Sequence, residues 1–125
     1  MILGTGTDLM EIDRIRSSIA RYGDRFLRRV YTPGEIAYCS RKKNSAESYA
    51  ARFAAKEAAA KALGTGISQG VSWREIEVRR EPAGRPTLHF SGRAAERASS
   101  MGVRRSSLSL THSRELAMAI VTLET

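Results

Sequence analysis

Two residues that could act on a phosphate group, Glu57 and Lys61, share one face of a predicted helix with Phe53. Phe53, Glu57 and Lys61 are spaced i, i+4 and i+8. A Glu–Lys pair at this spacing is ordinarily a surface pair that adds little to stability. This pair lies among alanines, which allow other elements to approach closely, and it points toward Gly64-Thr65-Gly66. A ligand could approach the bare backbone of those glycines, or the glycines could only end the helix and form a turn.

Asp8 is a candidate metal ligand at the end of a short predicted strand, after Gly4 and Gly6. It could instead only cap the following helix. Mg²⁺ binds a few carboxylates and completes its octahedron with phosphate oxygens and water. Asp8 and Glu57 could form such a pair if the strand packs beside the helix. Lys61, one turn from Glu57, would then offset phosphate charge.

His112 lies at the end of an alternating segment, in Leu110-Thr111-His112-Ser113. A single histidine can be structural or catalytic, and the local sequence does not choose between the two roles.

A basic segment lies near the N-terminus. Six arginines fall between positions 14 and 29, against one acidic residue. Arg14, Arg21, Arg25 and Arg28 would form one stripe if a single helix continued straight past Gly23. The stripe could be a solvated face. Its density suits an acidic helical partner, with Phe26 beside it as an apolar contact.

Hydrophobic periodicity predicts the elements that position these residues. The expected strands are 2–8, 73–78, 88–90, 108–110 and 116–123, with helices from 12, from 33, over 46–63 and over 92–101, a turn at 82–86 and a loop at 111–115. Thr32, Pro33 and Glu35 form a helix-start signature. The later strands are linked by hairpins, which predicts an α+β fold with a small, mainly antiparallel sheet and a long central helix. The last strand is apolar at both its odd-numbered and its even-numbered positions, which face opposite sides of the sheet. We therefore expect both faces to be covered, one by another subunit.

Composition limits the possible functions. The chain has 125 residues, which predicts one domain over 1–125, and its single cysteine, Cys39, excludes an internal disulfide. No segment resembles a membrane span or a signal peptide, so we expect a cytoplasmic protein with no membrane partner. The net charge of +8 indicates an anionic partner. No RNP motif, zinc-finger spacing or helix-turn-helix favours nucleic acid.

Three ordered segments match one family together: 4–15, with Gly4, Gly6 and Asp8; 52–66, from Arg52 to Gly66; and 108–119, with His112. They resemble the holo-acyl-carrier-protein synthases. These Mg²⁺-dependent enzymes move the phosphopantetheine arm of coenzyme A to a serine of acyl carrier protein, releasing adenosine 3′,5′-bisphosphate, in support of fatty acid biosynthesis. The resemblance implies an α+β fold and a homotrimer with coenzyme A between subunits.

The resemblance also implies roles for individual residues. Asp8 and Glu57 would hold Mg²⁺, Lys61 would contact phosphate, and His112 would lie near the cofactor, which makes these four the catalytic candidates. The residues expected along coenzyme A are Arg52, Phe53, Lys61, Gly64, Thr65, Gly66, Gly84, Arg85, Pro86, His112 and Lys43. One of Arg41, Lys42 and Lys43 would meet the 3′-phosphate, and the sequence leaves open which. Acidic acyl carrier protein would dock on Arg14, Arg21, Arg25 and Phe26. The acceptor of the serine proton stays open among Glu57, Asp8, His112 and a metal-bound water.

Three alternatives compete with this interpretation. A basic nucleic-acid-binding domain would explain the charge but not the pairing of Asp8 with Glu57. A module that only binds coenzyme A or an acidic protein would need an inert site. A transferase for polyketide or peptide synthases would ordinarily be a longer, two-lobed chain, so one short lobe favours the fatty-acid type.

Overall fold

A computed structural model describes all 125 residues, with five strands and five α-helices. The elements are β1 (Ile2–Glu11), α1 (Ile12–Tyr22), α2 (Asp24–Val30), α3 (Pro33–Ser40), α4 (Ser45–Ala62), a 3₁₀ turn (Trp73–Glu75), β2 (Ile76–Arg80), β3 (Pro86–Phe90), α5 (Gly92–Met101), β4 (Arg105–His112) and β5 (Leu116–Glu124). The predicted α+β class and long central helix are confirmed. The antiparallel strands form two sheets, β1-β5-β4 and the hairpin β2-β3.

Helix α4 is the centre of the fold because its small side chains let strands approach its backbone. Ala54, Ala58 and Ala59 are fully buried within the larger of two hydrophobic clusters. Strand β1 packs directly on this helix. A Cβ added at Gly6 would collide with the carbonyl oxygen of Ala58, and one at Gly4 with that of Ala62. These two glycines therefore set how closely β1 lies against α4.

The register of the three-stranded sheet gives it two different faces. Asp8 pairs with Ala119, and Ala119 pairs with Leu110, so all three point toward α4. The side chains of the adjacent residues along these strands point away from α4. Leu9, Met118 and Ile120 are 60%, 40% and 45% exposed. Within one chain, then, β5 is covered on one face only, and the outer face of the sheet is an apolar surface open to solvent.

Several predicted boundaries are wrong. Strand β1 continues past Asp8 to Glu11, so Asp8 lies within the strand and does not cap α1, whose N-cap is Glu11. The segment 73–75 is a 3₁₀ turn rather than strand, because Ser72 and Glu75 form a capping box that starts a helical turn. The predicted loop over 111–115 is shorter, because β4 stays paired with β5 as far as His112 opposite Ala117. The polar residues of β4 suggested a loop, but a strand with a solvent-facing side accommodates them.

The basic segment does not form one straight helix through Gly23, which was the condition for a single stripe of arginines. Gly23 has φ +57 and separates α1 from α2. Ile12 and Ile15 on α1, and Leu27 and Val30 on α2, each face the core. The arginines between 14 and 29 consequently lie on two short helices that meet at an elbow.

A buried ion pair connects α3, α4 and β2. Lys56 of α4 donates to a carboxylate oxygen of Glu35, at the start of α3, and to the carbonyl oxygens of Trp73 and Ile76. Glu35 also accepts from the amide of Val78 in β2 and from that of Thr32, where the predicted capping box is present. No helix of the protein is long and apolar enough to cross a membrane.

Candidate active site

Asp8 and Lys61 meet where the inner face of β1 crosses the last turn of α4. Lys61 Nζ lies 3.2 Å from Asp8 Oδ1 and donates to the carbonyl oxygen of Thr7 at 2.9 Å. The approach permitted by Gly4 and Gly6 brings the strand within reach of this lysine. The packing of strand beside helix, on which the predicted metal pair depended, is therefore present.

The second carboxylate of this site, Glu57, is held near Asp8. Partial burial raises the pKa of Glu57, the negative charge of Asp8 raises it further, and Lys61 offsets part of the rise. The other oxygen of Asp8, Oδ2, is buried and has no hydrogen-bond partner. Two carboxylates thus share one lysine, and one carboxylate oxygen is left unpaired. The site therefore has more acidic than basic groups, and a cation could balance the difference.

This donor set fits a magnesium ion. Mg²⁺ is ordinarily held by one or two carboxylates, with phosphate oxygens and water as its remaining ligands. The unpaired Oδ2 of Asp8 and the carboxylate of Glu57 are donors of that kind. The structure has no cluster of three or more histidine, cysteine, aspartate or glutamate side chains that could enclose a metal. The site would therefore take a cation that brings ligands of its own.

The Gly64-Thr65-Gly66 segment ends α4 and leaves open space beside it. Gly64 and Gly66 have φ +79 and +62, which favour glycine. The amide of Gly64 donates to the carbonyl oxygen of Lys61, and those of Thr65 and Gly66 donate to that of Ala60. Because these three amides already have partners in the helix, they are not free to cradle a phosphate. What the segment can offer a ligand is close approach to Gly66, where an added Cβ would meet nothing within 4 Å.

His112 lies in a different cleft. Its Nε2 is 3.4 Å from Glu47 Oε1, near the start of α4. Glu47 and Glu57 are ten residues apart on this helix, which is about 15 Å. Within one chain, the structure therefore does not bring His112 together with the Asp8, Glu57 and Lys61 group.

The cleft at His112 has a volume of about 360 Å³ and is lined by basic and aromatic side chains. Arg52 and Arg80 lie on it, and so does Tyr38 of α3, which sequence reasoning missed. Lys42 Nζ lies 4.6 Å from the centre of the Tyr38 ring. Lys43 is exposed and does not line the cleft. Nothing in the local sequence of α3 distinguishes Tyr38 from an ordinary core aromatic.

A larger cleft of about 710 Å³ lies between the hairpin turn and β4. The predicted turn residues Gly84, Arg85 and Pro86 line it, together with Ser106, Ser107 and Ser109 of β4. Arg80 lines this cleft and the one at His112, so the two adjoin at that side chain. Phe53 instead packs on Trp73, with ring centres 6.0 Å apart.

The predicted docking residues lie on either side of the α1–α2 elbow. Arg14, Arg21 and Arg25 are exposed and Phe26 is partly buried. Arg25 and Phe26 line a hollow of about 340 Å³ with Tyr22 and Arg29. Sequence reasoning did not include Arg29 in this surface.

Comparison with known proteins gives one consistent family. Residues 4–121 match the model of the 4′-phosphopantetheinyl transferase superfamily. The chain is 58% identical to the holo-[acyl-carrier-protein] synthase of Koribacter versatilis and 57% identical to that of Solibacter usitatus, over 99% of each chain in both cases. The crystal structure of the Neisseria meningitidis holo-[acyl-carrier-protein] synthase is similar at a TM-score of 0.90 and 36% identity, with both chains fully covered. The Helicobacter pylori enzyme in complex with coenzyme A gives a TM-score of 0.85 at 32% identity, covering 96% of this chain and 99% of that one.

Proposed function

The chain belongs to the holo-[acyl-carrier-protein] synthases of the 4′-phosphopantetheinyl transferase superfamily, and from this premise we propose that Asp8 and Glu57 hold its magnesium ion. The enzyme is a transferase that moves the 4′-phosphopantetheine arm of coenzyme A to a serine of acyl carrier protein and releases adenosine 3′,5′-bisphosphate. The observation that supports the metal site is the buried, unpaired Oδ2 of Asp8 beside a second carboxylate.

The residues of this site have separate tasks in phosphoryl transfer. A magnesium ion held by Asp8 and Glu57 would supply positive charge to offset the charge on the leaving phosphate. Lys61 lies 3.2 Å from Asp8, from where its ammonium orients and neutralises a phosphate oxygen. The serine hydroxyl must lose a proton, and Asp8 and Glu57 are the candidate acceptors among the side chains of this group. His112 would join them only through another subunit.

Coenzyme A would reach both groups of residues if the enzyme is a homotrimer. The Asp8 group and the clefts lined by Arg52, His112 and the 84–86 turn lie apart in one chain. The outer face of the three-stranded sheet is apolar and exposed, as expected of a surface buried between subunits. We therefore infer that one site combines the carboxylates of one subunit with the basic clefts of the next.

The acidic carrier protein would dock at the α1–α2 elbow. Arg14, Arg21 and Arg25 are exposed there, with Phe26 beside them. The net charge of +8 would speed the encounter with an acidic partner. We place the reaction in the cytoplasm, where the single thiol, Cys39, stays reduced.

Intact-mass spectrometry tests the proposal. Apo-acyl carrier protein is incubated with the enzyme, coenzyme A and Mg²⁺, and parallel samples contain EDTA or Asp8→Asn enzyme. A gain of one phosphopantetheine on the carrier with Mg²⁺, and none in the other two samples, is expected. Transfer that continues at full rate in EDTA would contradict the metal site, and no transfer to several carriers would contradict the function.

A further inference from the structure

The loop between α4 and the 3₁₀ turn has an unusual backbone. Four of its residues have positive φ: Gly64, Gly66, Gln69 and Gly70, at +79, +62, +56 and +88. Glycine adopts many conformations at little cost, whereas a residue with a side chain, such as Gln69, rarely has a positive φ. A backbone of this kind keeps one shape only where surrounding contacts fix it. Those contacts come from helix α5.

Arg97 of α5 holds the beginning of this loop. Its Nε donates to the carbonyl oxygen of Leu63 at 2.8 Å, and its Nη2 lies 3.4 Å from the position of a Cβ added at Gly64. Leu63 is the C-cap of α4, where carbonyl groups lack partners within the helix. A cation is also favourable at the carbonyl end of a helix because of the helix dipole. Arg97 therefore acts as a C-terminal cap that a neighbouring helix supplies.

Arg93, one turn earlier on α5, reaches the far end of the loop. Its Nε donates to the carbonyl oxygen of Gln69 at 3.4 Å, and its Cγ lies 3.1 Å from the position of a Cβ added at Gly70. This hydrogen bond is long, and Nη1 of Arg93 also pairs with Glu96 at 3.3 Å. Arg93 consequently holds the loop less firmly than Arg97 does.

The backbone that Arg97 holds is continuous with the turn that carries Lys61. The amide of Gly64 donates to the carbonyl oxygen of Lys61 at 2.9 Å, and Leu63 lies between these two residues in the chain. Gly66, where a ligand can approach the backbone closely, follows two residues after Gly64. Loss of the bond to Leu63 would therefore loosen both the last turn of α4 and the open backbone beside it.

We propose that Arg97 is a positioning residue for the transfer reaction, which fixes the end of α4 and the backbone from Gly64 to Gly66 so that Lys61 meets a phosphate oxygen of coenzyme A. The inference rests on the proposed function, in which Lys61 neutralises that oxygen. Arg97 acts through the carbonyl of Leu63 and not by touching the substrate. A small displacement of a group that aligns a substrate is enough to slow a reaction strongly.

Steady-state kinetics of Arg97→Met provide the first test, because methionine keeps most of the aliphatic stem and removes the donor and the charge. The variant should raise the KM for coenzyme A and lower kcat, so that kcat/KM for coenzyme A falls about 5- to 20-fold. The KM for acyl carrier protein should stay unchanged, since the proposed docking surface lies on α1 and α2. Arg97→Lys should recover part of the loss, and Arg93→Met should lose less. Arg104→Met, at an exposed arginine outside α5, is the matched control and should act like wild type.

Hydrogen exchange provides a second test that does not depend on activity. In Arg97→Met the amides of Gly64 to Gly66 should exchange about 10-fold faster than in the wild type, and those of β1 should not change. Unchanged exchange of these amides would overturn the inference.

The kinetic outcomes separate this inference from the proposed function. A residue that only supports the fold would lower the active fraction, and with it kcat, without changing either KM. An unchanged KM for coenzyme A in Arg97→Met therefore overturns the inference. If the wild type transfers nothing to any carrier, the proposed function itself fails. If Arg97→Met does not fold, the same two measurements on Arg97→Gln decide.

Discussion

Lys56 Nζ lies 2.7 Å from Glu35 Oε1, and neither side chain has any solvent exposure. The desolvation of the lysine lowers its pKa, and the nearby carboxylate of Glu35 acts against that shift. The pair is fully hydrogen-bonded, through the carbonyls of Trp73 and Ile76 on one side and the amides of Thr32 and Val78 on the other. It fixes the hairpin β2-β3 to the helix that carries Glu57 and Lys61.

Removing one partner of this pair should destabilise the protein strongly. Lys56→Met leaves the Glu35 carboxylate buried and unpaired, which costs about 3–5 kcal/mol. The double variant Lys56→Met/Glu35→Gln should recover part of this loss, because no uncompensated charge remains. Urea unfolding of the wild type, both single variants and the double variant measures the coupling. Additive losses would show that the two side chains do not act as a pair.

Glu57→Gln should abolish magnesium-dependent transfer and leave the fold intact. The amide keeps the shape of the side chain but removes the charge that binds the cation. We expect turnover at limiting Mg²⁺ to fall at least about 100-fold, measured by the mass gain of the carrier. Glu96→Gln, at an exposed ion pair on α5, is the matched control and should act like wild type. Near wild-type turnover of Glu57→Gln at limiting Mg²⁺ would exclude the ligand role.

Arg14→Glu should raise the KM for acyl carrier protein much more than the KM for coenzyme A. The substitution reverses one charge of the proposed docking face, so the rate should also become less sensitive to salt. Initial rates at several ionic strengths, with each substrate varied in turn, measure both effects. Arg104→Glu makes the same charge change elsewhere on the surface. Equal effects of Arg14→Glu on both substrates would argue against docking at the elbow.

Met118→Glu should separate the subunits of the proposed trimer. The side chain lies on the outer face of β5 beside Leu9, its partner in β1, where a buried carboxylate would be unpaired. Light scattering should give three times the 13.8 kDa chain mass for the wild type and a single chain mass for the variant. Activity should fall with assembly, because the proposed site spans two subunits. A wild type that is monomeric and fully active would refute the shared site.

The stability of the protein should decrease at alkaline pH. Burial raises the pKa of the Cys39 thiol from 9.0 to about 11. A raised pKa stabilises the fold fully below the unfolded value, and the contribution is lost as pH rises from about 9 through 11. Urea unfolding at pH 8 and pH 10.5 should show this loss in the wild type and a smaller one in Cys39→Ala. Tyr31 and Tyr49, whose pKa values are also raised by burial, contribute to the remainder. Equal losses in both proteins would contradict the assignment to Cys39.

Local signals in the sequence predicted much of the fold. The alanine-rich segment predicted α4, and the residues Thr32 and Glu35 predicted the start of α3. The turn at 82–86 predicted the hairpin β2-β3. The buried pair could not be predicted in this way, because Lys56 and Glu35 are 21 residues apart and each resembles a surface residue of its own helix. The place of Tyr38 in the cleft at His112 was also hidden, since only tertiary packing brings it together with Arg52 of α4 and Arg80 of β2.

Gly6 has no reactive side chain, but the close packing of β1 against α4 requires a glycine at this position. It carries no chemistry, yet it faces the carbonyl of Ala58 so closely that even a methyl group would push β1 away from α4. Asp8, two residues further along the strand, would then move away from Lys61. Gly6→Ala would thus inactivate the enzyme without altering any side chain that touches substrate. The distance between β1 and α4, on which the proposed site depends, is thus set by the absence of a side chain at Gly6.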